Sequence, residues 1–201
     1  TATITEKAIS YKAKANLGNS NGESDGVIDF NTGFDIKYKS DHLDLNDVGP
    51  IADLKFVGVG KLQGSTKGNS KTAVFGMDIE EENFEFENYF FGNLKTQMNY
   101  KTGSLYFDPI DGSIESTRYK GKLQVNLLTE MIIGDIQLPF FRMTDIQQSI
   151  LKKVHLQNRF LGSGSGRIQL DTPFSISRLN FKLDARLFKG SAFGEEYNEA
   201  K

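Results

Sequence analysis

The chain has 201 residues, of which 38% are hydrophobic, with 16 Phe, 7 Tyr, no Trp and no Cys, which is enough apolar material for one all-β domain or two small ones. Its formal net charge of −2 comes from 24 basic and 26 acidic residues that are interspersed, which argues against nucleic-acid binding, since that needs a basic surface. The lack of Cys excludes disulfides and thiol chemistry, and the sequence has no apolar run of about 18 residues that predicts a transmembrane segment.

The sequences at both ends of the chain predict that it is a fragment of a longer protein. The first residue is Thr1, with no Met and no signal-like apolar segment after it. The last residues, 195–201, form a polar tail.

The N-terminal part predicts strands. Ile9, Tyr11 and Leu17 share one parity, their neighbours are mostly polar, and the pattern stops at a turn cluster of Gly, Asn and Ser over residues 18–22. A second alternation follows around residues 34–39.

The next segment, residues 40–50, contains Asp, Asn, Gly and Pro and predicts a loop. Leu43 and Leu45 alternate weakly there, which leaves a short strand as an alternative. The strand predicted from Phe56 onward carries Gly58, Gly60 and Gly64 on the same parity as Phe56. Glycines on one face of a strand indicate a bend, a bulge or a close approach of another surface.

The middle of the chain repeats a glycine, a polar residue and a branched aliphatic residue. The repeats start at Gly92, Gly103, Gly112 and Gly121. Between them apolar and polar residues alternate, so each glycine is predicted to mark a reversal between antiparallel strands.

Near the C-terminal end the pattern changes. Asp145 to Lys153 is predicted to be the only helix longer than one turn, capped by Thr144 or Asp145. Ile146, Ile150 and Val154 lie on one side of that helix, which we expect to cover part of the apolar sheet face. The glycine-rich residues 162–166 predict a loop within the domain, and alternation resumes over residues 179–187.

The predicted fold is all-β: an antiparallel meander of roughly 11 to 14 strands with one short amphipathic helix. The apolar face of such a sheet is covered by a second sheet, closed into a barrel or left for a ligand. A sandwich core is one interpretation of the large apolar residues. The single available helix and the inward glycines argue for strong curvature of one sheet rather than two stacked sheets. Together with the family resemblance given below, they favour one curled sheet that forms an open, taco-like groove. Residues 1–201 are predicted to form one module, with a sub-boundary near residues 40–52 as an alternative.

Alternation also predicts which side chains line the groove. Lys95, Gln97, Gln124 and Lys182 have the opposite parity and are expected to be exposed on the outer side. The predicted lining residues are Phe34, Ile36, Phe56, Leu62, Phe75, Met77, Phe84, Phe86, Leu94, Met98, Leu105, Phe107, Ile114, Leu123, Val125, Ile168, Leu170, Phe181 and Leu183.

No residue pattern predicts an enzyme, a metal site or a cofactor. His42 and His155 lack the spacing of metal ligands or of a catalytic triad. The acidic residues between Asp78 and Glu87 are interpreted as the wet face of a strand rather than as a calcium site.

Several phrases of the sequence resemble the AsmA-like family, and its TamB group in particular. The resemblance covers about residues 50–194 and rests on repeating strand phrases: GVGKLQG (58–64), FGNL (91–94), YKTGSLYF (100–107), YKGKL (119–123) and LGSGSGRIQL (161–170).

The resemblance implies a function. Members of this family are envelope proteins that an N-terminal helix anchors in the inner membrane. Their β-taco groove conducts phospholipids through the periplasm toward the outer membrane. The expected ligands of this chain are therefore phospholipids or other acyl-chain lipids. An outer-membrane assembly protein is a further expected partner, with a role in outer-membrane biogenesis. Members of this family have no catalytic residues, so the resemblance implies none in this chain.

Two other functions fit the same strands. A structural or adhesive β-sandwich or solenoid module would have a dry, interdigitated core. A closed carrier barrel of the lipocalin type is disfavoured, because the Gly-x-Trp signature needs a Trp and the chain has none.

Overall fold

The structure is a computed structural model that describes residues 1–51, 53–69, 71–149, 160–174, 178 and 180–199. It contains thirteen strands in one sheet, ordered as in the chain. Every neighbouring pair is antiparallel. The strands are β1 Ala2–Ile4, β2 Ala8–Leu17, β3 Ser20–Asp29, β4 Gly33–Asp44, β5 Phe56–Gly68, β6 Val74–Phe86, β7 Tyr89–Lys101, β8 Ser104–Ile114, β9 Thr117–Asn126, β10 Met131–Arg142, β11 Phe160–Pro173, β12 Phe181–Ala192 and β13 Glu195–Tyr197. In the described part of the chain β1 and β13 are edges, so the all-β open meander is confirmed.

Two short helices interrupt the meander. Helix α1, Leu45–Val48, is followed by a 3-10 turn at Gly49–Ile51 and joins β4 to β5. Helix α2, Met143–Ser149, joins β10 to β11 and is the only helix longer than one turn among the described residues. It begins earlier than predicted at Asp145. Ile146 packs against the core as predicted. Two residues predicted to face the sheet, Ile150 and Val154, lie outside the described residues.

The loop predicted for residues 40–50 is wrong. Strand β4 continues to Asp44 through a bulge between Ser40 and Leu43, and α1 starts directly afterwards. The Asp44 side chain accepts a hydrogen bond from the Asn46 backbone N–H and caps α1, so the polar residues here start a helix.

The predicted role of the repeated glycines is also wrong, except at Gly103, which lies in the β7–β8 turn. Gly92, Gly112 and Gly121 lie inside strands. A Cβ on Gly121 would lie 2.2 Å from the carbonyl oxygen of Asp135. These glycines permit close approach of a neighbouring strand or ring rather than a turn.

The glycine-rich residues 162–166, predicted to be a loop, belong to strand β11. A Cβ on Gly164 would lie 2.5 Å from the Arg186 carbonyl oxygen and 2.9 Å from the Phe141 ring. The absence of side chains therefore makes room for a buried phenylalanine, and the segment keeps its strand pairing with β10 and β12.

The strand register places all of the predicted lining residues on one face, which we call the inward face. One row across the sheet runs from Met77 to Met98, Phe107 and Leu123, each opposite the next. Directly opposed residues in antiparallel strands point to the same side. On the outer face, the predicted exposure of Lys95, Gln97 and Lys182 is confirmed, whereas Gln124 is half-buried.

The inward face curls over on itself. The ring of Phe86, at the end of β6, lies 5.7 Å from the ring of Phe174, which follows β11. Phe86 also belongs to one buried cluster with Val125 and Ile132 of β9 and β10. Strands far apart in the sheet order therefore cover each other, and most of the apolar core lies between β6 and β11.

Candidate functional site

The predicted lining residues separate into three groups by exposure. Five are buried in the core: Phe86, Leu94, Ile114, Val125 and Ile168. Two on β12 are exposed, Phe181 at 43% and Leu183 at 40%. The others are half-buried: Phe34, Ile36, Phe56, Leu62, Phe75, Met77, Phe84, Met98, Leu105, Phe107, Leu123 and Leu170. The face is continuous, but its middle is filled by the chain's own side chains.

The open part of the inward face lies over strands β2 to β5. A cleft of about 330 Å³ opens there. Its apolar lining comprises Ala13, Ala15, Leu17, Leu43, Val48 and Leu62. Of these only Leu62 was predicted from the sequence. Ala13, Ala15 and Gly22 leave space in the cleft, and such small residues give a weak apolar signal in a sequence.

Helix α1 closes one end of this cleft and is attached to the β2–β3 turn. One carboxylate oxygen of Asp47 accepts hydrogen bonds from the backbone N–H groups of Asn19 (2.8 Å) and Ser20 (2.9 Å). The same oxygen accepts one from the Ser20 hydroxyl at 2.8 Å. Val48, from the same helix, lines the cleft.

Helix α2 is attached to the β8–β9 turn in the same way. One carboxylate oxygen of Asp145 accepts hydrogen bonds from the backbone N–H and hydroxyl groups of both Ser116 and Thr117, at 2.8–3.1 Å. Burial acts to raise the pKa of Asp145, but these bonds and one from Thr144 hold it below its usual value. Asp145 therefore clamps a turn, whereas the sequence predicted a helix cap.

The two attachments belong to an arrangement that occurs twice. In each case the chain first forms a hairpin and then a strand that contains a bulge. A short helix follows, and one of its Asp side chains binds the turn of the hairpin. The next strand places a glycine opposite the residue after the bulge. We call β2 to β7 with α1 the first unit and β8 to β13 with α2 the second unit. Leu43 opposite Gly60 in the first unit corresponds to Phe141 opposite Gly164 in the second.

Glu81 is the one acidic residue of β6 that the sequence placed on the wrong face. Glu81 continues the inward parity of Met77 and Ile79 and lies opposite Gly60 and Leu94. A bulge at Asn83, whose φ is 54°, shifts the alternation only after it. Its side chain is 3% exposed, and neither carboxylate oxygen has a hydrogen-bond partner among the described residues. Burial, together with the negative charge of Asp44, raises the pKa of Glu81 to about 8.

A second buried polar atom without a partner in the described part of the chain is the Ser40 hydroxyl oxygen. Ser40 lies opposite Leu62, and both line the cleft. Buried polar groups are usually hydrogen-bonded, because leaving one unpaired costs about 1–3 kcal/mol. Ser40 is therefore an unusual polar residue in the lining of the cleft, whereas the unpaired carboxylate of Glu81 lies beside Gly58 and outside that lining.

A larger cleft of about 660 Å³ lies mainly on the opposite, polar face. Its lining carries charges of both signs, including Glu23, Asp25, Lys37 and Lys39. The sequence predicted no site there, and its mixed charges select no single class of ligand.

Three further observations concern the described residues only. They contain no group of three His, Asp or Glu side chains placed to hold a metal ion. Within the same residues, no helix is long and apolar enough to cross a membrane. His42 is exposed, and His155 lies outside the described part of the chain.

Comparison of the chain with protein-family models, with curated proteins and with solved structures gave no match. The resemblance to AsmA-like proteins therefore stays a hypothesis that rests on the quoted phrases.

Proposed function

We propose that this protein is a lipid-binding β-groove module that holds acyl chains on the inward face of its first unit. The observation that supports this proposal most strongly is the apolar cleft over β2 to β5. Its lining of Ala, Leu and Val offers contacts to an aliphatic chain, and it stays open while the middle of the inward face is filled by the chain's own side chains.

The size of the cleft suits one aliphatic chain. Ligand sites in proteins typically enclose about 300–1,000 Å³, and the volume of about 330 Å³ is at the lower end of this range. Each methylene transferred from water into the cleft contributes about 0.8 kcal/mol. About ten methylene groups therefore contribute about 8 kcal/mol, which leaves millimolar binding once an association cost of about 4 kcal/mol is subtracted.

The AsmA-like resemblance extends this proposal to transport. In that role the groove conducts phospholipid acyl chains through the periplasm between the inner and outer membranes and contributes to outer-membrane biogenesis. Its partners there are phospholipids and an outer-membrane assembly protein. The proposal includes no catalytic step and no cofactor.

A second candidate function is a structural or adhesive module. It is favoured by the second unit, where Leu138, Phe141 and Ile168 fill the inward face with the chain's own side chains. If the first unit served only as scaffold, its cleft would hold no ligand.

Native mass spectrometry of the purified protein tests the proposal. We expect bound phospholipid on the wild type and its loss from Leu62→Arg, because a charge in the cleft carries a desolvation cost. Gln63→Arg is the matched control: Gln63 is the next residue along β5 and is exposed, so this variant should keep its lipid. Circular dichroism checks that both variants fold. A folded Leu62→Arg variant that retains full lipid occupancy contradicts the proposal.

A further inference from the structure

We propose that α1 is a pH-controlled flap over one end of the cleft, which stays closed while the buried side chain of Glu81 is protonated and opens when that side chain loses its proton. Helix α1 contributes Val48 to the lining of the cleft, so its release removes one wall of the site. The effect on ligand binding rests on the proposed function, whereas the movement of the helix can be measured without a ligand.

Glu81 and α1 meet at Gly58, in the bulge of β5. A Cβ placed on Gly58 would lie 3.3 Å from the Oε2 atom of Glu81 and 3.4 Å from the Cδ1 atom of Leu45. Leu45 is the first residue of α1 and is 9% exposed, so its side chain holds the helix against the sheet. The carboxyl group of Glu81 and the apolar anchor of α1 therefore border the same small space, which a side chain at residue 58 would fill.

The closed arrangement offers nothing that stabilises a negative charge on Glu81. Its side chain is 3% exposed, and neither carboxylate oxygen has a hydrogen-bond partner among the described residues. A buried charge without a partner is far more costly than a buried neutral group. Burial is accordingly the main cause that raises the pKa of Glu81 to about 8. The protonated form is the one that suits the closed helix.

Asp44 adds repulsion to this cost and connects it to the helix. Its side chain is the N-cap of α1, and its negative charge is the second cause that raises the pKa of Glu81. Hydrogen bonds from the side chains of Asn46 and Asn19 hold the pKa of Asp44 below its usual value, so Asp44 is ionised when Glu81 titrates. An ionised Glu81 therefore repels the residue that starts α1.

The other charged groups of the surrounding elements do not compensate Glu81. On β5 and β7, Lys61 and Lys95 lie opposite Glu80, which is on the outer face of β6. Lys95 pairs with Glu80 there at 3.0 Å. Glu82 is exposed, and Asp47 of α1 is bound to the β2–β3 turn. The lysines therefore neutralise charges on the outer face and leave the inward carboxyl group without a cation.

Of the elements around Glu81, α1 is the one that can move at the lowest cost. Strands β5, β6 and β7 are each paired on both sides within the sheet. Helix α1 has four residues, and its cap bond runs from the backbone N–H of Gly49 to the carbonyl oxygen of Leu45. Segments with few buried contacts open first in folded proteins. Water therefore reaches an ionised Glu81 most readily when α1 leaves the sheet.

The second unit has the same helix without the ionisable group. Leu187 corresponds to Glu81 by register, because each lies opposite the glycine that faces the residue after the bulge. Met143 of α2 corresponds to Leu45, since each lies two residues before the Asp that binds the hairpin turn. Leu187 and Met143 both pack against the core. Helix α2 therefore rests on apolar side chains and is expected to stay closed at any pH at which Asp145 is ionised.

Hydrogen exchange of backbone amides, measured by NMR at pH 6 and pH 9 and divided by the intrinsic rate at each pH, tests the inference. Between pH 4.5 and about 8 the closed form holds a proton that the open form releases, so the open population rises with pH. About two pH units separate pH 6 from the pKa of about 8, so protection at α1 should fall by about 10- to 100-fold. The readout is the backbone N–H of Ser20, which donates to Asp47 of α1 at 2.9 Å. The matched N–H in the second unit is that of Thr117, which donates to Asp145 at 3.0 Å and should keep its protection.

Two variants of Glu81 connect the loss of protection to its proton. Glu81→Gln preserves the size of the side chain and cannot ionise, and Glu81→Leu copies the second unit. Both should keep the protection of the Ser20 N–H at pH 9. Glu82→Gln is the matched control, because Glu82 is adjacent in β6 but exposed, and it should lose protection as the wild type does. Circular dichroism at both pH values checks that every variant is folded.

Isothermal titration with decyl maltoside, a non-ionic amphiphile, measures the effect on the cleft at the same two pH values below the critical micelle concentration. The wild type should bind it more weakly at pH 9 than at pH 6, and Glu81→Gln should bind it equally at both. Constant protection of the Ser20 N–H in the wild type, or the same loss in Glu81→Gln, overturns the flap and leaves the lipid-binding groove intact. Equal binding by the wild type at both pH values overturns the control of the cleft by α1. Loss of protection without binding at either pH overturns the proposed function and leaves the helix movement standing.

Discussion

The first and second units have the same construction but treat their inward faces differently. In the second unit Tyr119, Leu138 and Phe141 are buried. By register the corresponding residues of the first unit are Gly22, Ser40 and Leu43. The smaller side chains leave the cleft that the larger ones fill. The comparison teaches that the inward face of a curled antiparallel sheet can be filled or left open depending on side-chain volume.

The attachment of each helix is the part that the two units share. Asp47 and Asp145 both satisfy the N–H and hydroxyl groups of a hairpin turn. This clamp fixes the helix on the inward side of the sheet whether or not the space beneath it is filled. The difference between the units is therefore independent of the clamp, and it can be tested by paired substitutions.

The largest expected effect distinguishes the filled face from the open one. Phe141 is 1% exposed, so Phe141→Ala should lower the free energy of unfolding by about 4 kcal/mol. Leu43→Ala, at the corresponding position, should cost about 2 kcal/mol, because its site already borders the cleft. Urea denaturation followed by fluorescence measures both. Phe140→Ala, on the outer face, is the control with a small effect. Equal losses for Phe141 and Leu43 would contradict the comparison.

The next largest effect compares the two aspartates that attach the helices to the hairpin turns. Asp145→Ala leaves the donors of Ser116 and Thr117 without their shared acceptor and should cost about 3 kcal/mol. Asp47→Ala should cost about 1 kcal/mol, because the β2–β3 turn is more exposed and water replaces the carboxylate.

The clamp of Asp145 also has a pH signature. Its pKa is lowered in the folded state, so its contribution is present above the unfolded pKa and is lost as the pH falls through the folded pKa. Acid denaturation of the wild type and of Asp145→Asn should therefore converge at low pH. If the stability of the wild type and of Asp145→Asn differed by the same amount at every pH, the ionised carboxylate of Asp145 would not be the source of the stabilisation.

The sequence predicted the sheet face well and the interruptions of the sheet poorly. Alternation alone assigned residues such as Leu94 and Leu123 to one face. Because successive side chains of a strand point to opposite faces, the face of one residue determines the face of all the others in that strand. It failed at Glu81, because this residue was grouped with Glu85, which lies beyond a bulge that inverts the alternation, although Glu81 keeps the parity of Met77 and Ile79. It also could not show that Phe86 contacts Phe174, since that contact depends on how far the whole sheet curls.

The cleft itself was missed for a related reason. Periodicity weights large apolar residues, and those residues fill the core between β6 and β11. The cleft lies where the inward positions carry small residues such as Ala13, Ala15 and Gly22. The signal that could have found it is the comparison of the two units, because Gly22 and Ser40 correspond by register to Tyr119 and Leu138 in the second unit.

A further effect on stability concerns Glu81 and depends on pH. In the folded state its pKa is raised from 4.5 to about 8, so the folded protein binds more protons than the unfolded chain between these values. Stability should therefore fall as the pH rises from about 4.5 to about 8. Glu81→Leu, which copies the second unit, should remove most of this dependence and raise the melting temperature by a few degrees at pH 7. Scanning calorimetry at pH 5, 7 and 9 measures it. A wild-type and a variant profile with the same slope would contradict the placement of Glu81 on the inward face.

The central claim, that the first unit is the open binding surface and the second is filled, is tested most directly by photo-crosslinking at one inward position of each unit. A photoreactive amino acid is placed at Leu62, which borders the cleft, or at Leu138, which is buried in the core of the second unit. Each folded variant is irradiated with radiolabelled phospholipid vesicles. The account predicts lipid adducts at residue 62 and none above background at residue 138. Adducts at both positions, or at residue 138 alone, would contradict it.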